Sequence, residues 1–425
     1  MISILKRFFK YFLYFVLFSS ILITIIITYF IWFQPAFYFP KPTGNYSVGV
    51  KDFHWIDKNR KETFSNNSEH PNRELMIKIW YPTQGKLPEK PTTPYAPDLV
   101  NYYKKNYHFI WLFGFSRPIY SYVKKDTIFS NDKSEYPIII FTPGYGGRND
   151  SNSFHCEELA SHGYIVVGIS PTYEDNIVQF QDGRIANGKK VCKTKNNKNK
   201  SFVERRKEGK KEIEIRVADV KFVLDQLEQL NKDKKSIFYQ HLDQDNTAIF
   251  GQSMGGEVAA QLCQRDSRIK AGVDMDGSLI HLDLEKAFNK PFMFLLAGDS
   301  VAMLDKPKMD YDDWKKFHVT SAKEEDMLKE KYLAAFKTLA QKNSQNTYIF
   351  IIENAGHIDF TNLALLKEAS IISKQLIRIV AGPLTIGSID GYKATDIINT
   401  YLLNFFDKYL KNKSSETLEK IRIEK

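Results

Sequence analysis

The chain has 425 residues, room for one large α/β domain or two smaller ones, and its 43 % apolar content is enough for a sizeable core. The formal net charge of +10 suits an anionic membrane surface, but acids dilute the bases along most of the chain and no nucleic-acid partner is expected. The three cysteines, Cys156, Cys192 and Cys263, are too few and too odd in number for a fully paired disulfide framework, and neither C-x-x-C nor zinc spacing occurs.

No charged residue lies between Lys10 and Lys41, and Tyr11–Phe33 is almost wholly aromatic or aliphatic. About 20 apolar residues span a bilayer as a helix. The run is longer than a typical cleavable signal and ends without a small-residue cleavage pattern, so residues 11–33 read as a signal anchor; cleavage followed by secretion is the alternative. Lys6, Arg7 and Lys10 within residues 1–10 put the N-terminus in the cytoplasm by the positive-inside rule, with everything after the span on the far side. A linker (34–45) leads to one large domain (46–411) and a charged tail (412–425).

Within the domain, Leu75–Tyr81 alternates in part and predicts a strand. Pro137–Thr142 and Tyr164–Ile169 are continuous apolar runs, as expected of strands buried on both faces of a parallel sheet, and Phe154–His162 between them reads as a helix. A Cys156–Cys192 bridge is left open, and the lysine/asparagine stretch Lys189–Lys200 reads as a solvated loop. Apolar residues at 213, 217, 220, 224 and 227 give one face of a helix. Further strands are expected at Thr247–Phe250, Ile269–Met275, Phe292–Leu296 and Thr347–Ile352. Helices are expected at Glu257–Gln264, from a Ser321/Glu324 capping box to Gln341, and over Tyr392–Leu410. Strands alternating with helices predict an α/β fold with a mostly parallel sheet covered on both faces.

The most informative segment is Gly251-Gln252-Ser253-Met254-Gly255-Gly256, a G-x-S-x-G pattern between a predicted strand and a predicted helix. In that context a sharp turn lifts the serine out of the sheet, and side chains at Gly251 or Gly255 would collide where the chain turns. A serine hydroxyl needs a base and an acid that orients the base. His357 follows the last predicted strand, where that base is expected. Two strand ends offer the acid, Asp276 and Asp299; Asp274 lies deeper on the same face as Asp276. Two backbone N–H groups are needed for a developing oxyanion: Met254 follows the serine, and Tyr145 lies in the glycine-rich loop Pro143–Gly147. No dinucleotide, P-loop, H-E-x-x-H or calcium-loop pattern is complete, so no metal or cofactor is expected. A non-catalytic surface binding protein on the same fold is the reading from another class.

Beyond the serine turn, Met76–Pro82, Pro137–Gly147, Leu159-Ala-Ser-His-Gly-Tyr-Ile165, the helix near Arg216, Ala271–Gly277, Gly356-His357 and the stretch from Ile389 to Leu410 resemble the platelet-activating factor acetylhydrolase family (plasma and type II) of α/β-hydrolases, in its bacterial form. The resemblance implies a metal-independent ester hydrolase acting on phospholipid-like substrates with short or oxidised acyl groups. A general short-chain carboxylesterase or polyester hydrolase is the alternative, because fold does not fix substrate. The resemblance also implies Asp276 as the acid in preference to Asp299. Pro143-Gly144 departs from the family's usual His-Gly, and the basic stretch Lys189–Lys211 is unusual for it. Trp111 and Phe113, in the aromatic and lysine-rich segment 102–115, fall where the resemblance implies a lipid-facing helix.

Overall fold

The apolar runs read from the sequence become the middle of one sheet. A computed structural model of the chain describes residues 2–32, 37–65, 69–98, 101, 105, 119–174, 177–188, 202–283, 289–305, 308, 321–327, 329–330, 346–368, 374–375, 386–416 and 418. Trp111, Phe113, Cys192, the Lys189–Lys200 stretch and the expected helix end at Gln341 lie outside the described residues.

In chain order the elements are α1 (Ile2–Trp32), β1 (Phe37–Tyr38), β2 (Ser47–Lys61), β3 (Asn72–Thr83), β4 (Thr93–Pro94), β5 (Ile119–Ser121), β6 (Lys124–Lys125), β7 (Tyr136–Thr142), α2 (Ser153–Ser161) and β8 (Ile165–Ser170). They continue with β9 (Val178–Gln179), β10 (Ile185–Ala186), α3 (Phe202–Lys232), β11 (Leu242–Gln252), α4 (Met254–Arg265), β12 (Ile269–Met275), β13 (Phe292–Ala297), α5 (Gly298–Asp305), β14 (Thr347–Ile352), a 3₁₀ turn (His357–Phe360), α6 (Leu363–Leu366) and α7 (Gly391–Lys411).

Among the described residues, nine strands form the main sheet in the order β14-β13-β12-β11-β7-β8-β3-β2-β6. The run from β14 to β8 is parallel, and β3 pairs antiparallel with both β8 and β2. Alternate residues of each central strand feed two cores, as the period of two requires. Ile138 and Ile140 face the side covered by α3 and α4, where Val217, Val220, Leu227 and Val258 pack. Ile139, Phe141 and Phe250 face α2 and α7, against Leu159, Leu402, Phe405 and Phe406. Residues past α7 remain part of this second layer, since Leu418 is fully buried in it. Cys156 and Cys263 are buried free thiols, the latter pushed up to about 12 by burial.

The 31-residue α1 carries the apolar window Lys6–Ile26, of mean hydropathy 2.0, none of it buried against protein. It is long and apolar enough to cross a membrane. A separate small sheet, β1-β5-β4, joins the chain just after α1 to both flanks of the 95–118 segment.

Candidate active site

Ser253 stands between β11 and α4 with φ 56° and ψ −123°, a strained backbone for a residue with a side chain. The turn is held because Ser253 N–H donates to Met275 O at 2.8 Å and Gly256 N–H to Ser253 O at 2.9 Å. A Cβ on Gly251 would overlap the backbone of Gly255, and one on Gly255 would overlap the Thr142 carbonyl, so both positions exclude side chains.

Three side chains from three sheet ends meet at this turn. Ser253 Oγ lies 3.0 Å from His357 Nε2, and His357 Nδ1 lies 2.6 Å from Asp276 Oδ2. A carboxylate beside Nδ1 fixes the proton on that nitrogen and leaves the Nε2 lone pair facing the hydroxyl. The Asp276 carboxylate is almost wholly shielded, whereas the His357 ring is about a quarter exposed (side-chain exposures 2 % and 26 %), so the imidazole opens to solvent and the carboxylate does not. Asp276 adopts φ 56°, a second strained position in the site.

Asp299 does not enter this hydrogen-bond chain. It opens α5, with its N–H donating to Ala355 O at 3.1 Å. The β13 end instead serves Asp276: Ala297 N–H donates to Oδ1 and Ser300 Oγ donates to Oδ2, each at 2.9 Å. Asp274 lies beneath the turn, fully buried, its Oδ1 accepting Gly277 N–H at 2.8 Å. Burial, reinforced by the charge on Asp276, pushes the Asp274 carboxyl well above the usual carboxylate range.

Several supporting residues carry no sequence motif. Gln252 Nε2 donates to His357 O at 3.3 Å and lies 3.2 Å from His357 Nε2. The histidine turn is pinned by Asp359, whose Oδ2 accepts Gly356 N–H at 2.8 Å and Gly387 N–H at 2.7 Å. Lys367, 2.6 Å from Asp359 Oδ1, balances that buried charge. Met254 follows the serine as the first residue of α4, and Tyr145, its side chain half exposed, follows Gly144 in the loop after β7. Among the described residues, no group of three or more His, Cys, Asp or Glu side chains is arranged to hold a metal ion.

A family model described as platelet-activating factor acetylhydrolase, isoform II, matches residues 31–421. The chain belongs to that family. The platelet-activating factor acetylhydrolase of Canis lupus familiaris is 26 % identical over 282 residues, covering 57 % of this chain and 56 % of the dog protein. A protein of Arthroderma benhamiae named probable 1-alkyl-2-acetylglycerophosphocholine esterase is 27 % identical, with 57 % of this chain and 60 % of the fungal one covered. The chain thus spans somewhat over half the length of these two relatives. The acetylhydrolase of Cavia porcellus aligns more widely, 25 % identical over 87 % of this chain and 78 % of its own. Among solved structures, the ferulic acid esterase of Streptomyces cinnamoneus superimposes with a TM-score of 0.66 at 20 % identity, covering 91 % of this chain and 96 % of that one. That likeness shows the fold, the α/β-hydrolase arrangement of a mostly parallel sheet between helical layers.

Proposed function

We propose that this family member is a serine ester hydrolase working through an acyl-enzyme. The observation that carries the reading is the continuous hydrogen-bond chain from Ser253 through His357 to Asp276. As Ser253 Oγ bonds to the ester carbonyl carbon, His357 Nε2 takes its proton. The tetrahedral oxyanion is stabilised by the backbone N–H groups of Tyr145 and Met254. Collapse breaks the ester C–O bond, His357 returns the proton to the departing alcohol, and the acyl group stays on Ser253. Water then attacks this ester while His357 accepts its proton; the bond from the acyl carbon to Ser253 Oγ breaks, the acid leaves, and His357 returns the proton to Oγ.

The proposed substrates are phospholipid-like esters with short or oxidised acyl chains. The names of the relatives and the unburied apolar surface of α1 support a lipid ester over a freely soluble one. In this reading α1 is a single-pass anchor with its N-terminus cytoplasmic and the catalytic domain on the far side.

A panel of esters against the purified protein tests the reading, with short- and long-acyl phospholipids beside simple acyl esters and Ser253→Ala as control. Short-acyl phospholipids should be turned over best, and Ser253→Ala should be inactive. Turnover of simple esters alone would identify a general carboxylesterase. Failure of a fluorophosphonate to label the wild-type protein would identify a non-catalytic member.

A further inference from the structure

Arg216 occupies a place that core packing does not call for. It lies on the inner face of α3, only 2 % exposed, between Ile213 and Val217 of the apolar stripe. Burying a guanidinium is unfavourable unless its donors are met. Two of them have partners: Nε donates to Glu174 Oε2 at 2.8 Å, and Nη1 donates to the carbonyl oxygen of Pro143 at 2.6 Å. Glu174, itself 3 % exposed, follows β8. Behind this pair, Arg73 grips Asp219, one turn along α3 from Arg216, through two bonds of 3.2 and 2.8 Å. Arg73 also donates to Thr172 O at 2.8 Å. The guanidinium of Arg216 is therefore fixed from the rear and reaches one backbone atom in front.

That atom belongs to the loop over the serine. Pro143 precedes Gly144-Tyr145, and the loop backbone is wedged against the turn: a methyl on Gly144 would sit 3.2 Å from Ser253 Cβ. On the other side, Gly147 N–H donates to Gly144 O at 3.1 Å. A trans peptide is planar, so the direction of the Gly144 carbonyl dictates that of the Tyr145 N–H, which points the opposite way. The Gly147 bond orients this peptide directly, and the Arg216 bond anchors the peptide before it, Pro143–Gly144, on the other side of the Gly144 Cα.

We infer that Arg216 is a positioning residue of the oxyanion hole: by holding the Pro143 carbonyl, it anchors the Pro143–Gly144 peptide from which the Gly144–Tyr145 peptide swings, so that the Tyr145 N–H meets the developing oxyanion. The inference rests on the proposed serine mechanism. Losing one oxyanion donor lowers kcat about 10²–10³-fold, and a misaimed donor loses part of that.

The experiment compares Arg216→Lys with Val217→Ala, a cavity substitution on the same helix that leaves Pro143 untouched. Each protein is measured for kcat and KM on a soluble short-acyl ester, for affinity toward a trifluoromethyl ketone that forms a tetrahedral adduct on the serine, and for thermal midpoint. Arg216→Lys should lose about 10–100-fold in kcat with KM little changed, and ketone affinity should fall by a similar factor. Val217→Ala should lower the thermal midpoint and leave kcat and ketone affinity near wild type. If Arg216→Lys lowers only the thermal midpoint, the residue is structural and the inference is wrong. If Arg216→Lys is recovered unfolded, Glu174→Gln decides, because it loosens the guanidinium without removing it. A several-fold loss in kcat and ketone affinity at constant KM supports the inference, and unchanged values overturn it. Failure of the serine mechanism reads differently, as activity retained in Ser253→Ala and no ketone binding by the wild type.

Discussion

The assignment of the acid makes a prediction whose size can be worked from the geometry. In Asp276→Asn the new amide has two environments to satisfy. The Oδ1 position faces the Ala297 N–H, which requires an acceptor there, so the amide oxygen takes that site. The amide nitrogen is then left at the Oδ2 position, beside Ser300 Oγ, which can accept, and 2.6 Å from His357 Nδ1. An N–H aimed at Nδ1 makes that nitrogen the acceptor and moves the imidazole proton to Nε2. The ring then presents a donor to Ser253 Oγ and cannot take its proton. A wrong tautomer of this kind in another serine hydrolase lowers kcat about 10⁴-fold, equivalent to roughly 5.5 kcal/mol of barrier. The assay is steady-state hydrolysis of a short-chain nitrophenyl ester, with circular dichroism to establish that both variants are folded. Asp276→Asn should lose about three to four powers of ten in kcat. Asp299→Asn should keep most of its activity, since its backbone contact with Ala355 is untouched. A near-normal Asp276→Asn beside an inactive Asp299→Asn would refute the reasoning.

Two further predictions concern stability. Burial pushes the Glu157 carboxyl up from 4.5 to about 8, against smaller opposing effects from Ser121, the Tyr122 backbone and Lys78. Between those pH values the unfolded chain ionises while the folded one keeps the proton, so stability falls as pH rises, by about 1.4 kcal/mol per unit and about 5 kcal/mol in all. Glu157→Gln should remove this loss, and the gap between its urea unfolding free energy and that of wild type should widen from pH 5 to pH 8; a constant gap would contradict the assignment. Lys367→Met should destabilise by about 3–5 kcal/mol by leaving the Asp359 charge buried and uncompensated. Pairing it with Asp359→Asn should recover part of the loss, and a urea midpoint unchanged in Lys367→Met would show that the pair does not hold the histidine turn.

The parallel half of the sheet was legible because its strands are apolar on both faces. Ile269–Met275 and Thr347–Ile352 have the boundaries that their composition predicts. The 15-residue β2 was not, since Lys51, Asp52, Asp57, Lys58 and Asn59 interrupt its pattern. Its place is fixed by cross-strand pairing with β3, which no local window contains. The position of the serine turn and that of His357 were legible because steric need places glycines at the turn and chain order places a histidine after the last strand. The two candidate acids could not be separated by local pattern, because both end parallel strands and only β12–β13 pairing makes one end support the other. The contacts that Ser300, Ala297 and Arg216 make were not legible for a similar reason, although the helix around Arg216 carries part of the resemblance. Arg216 meets Pro143 across 73 positions of sequence, and the Pro143 atom it meets is a backbone oxygen, which leaves no signature in residue types.

The most direct test of the proposed mechanism is to trap the covalent intermediate. The protein is mixed with a short-chain acyl ester, quenched in acid during turnover, and digested for peptide mass mapping. The acyl group should be found on Ser253, and neither adduct nor turnover should survive in Ser253→Ala. Turnover that persists in Ser253→Ala, or an acyl group carried by a different residue, would contradict the account.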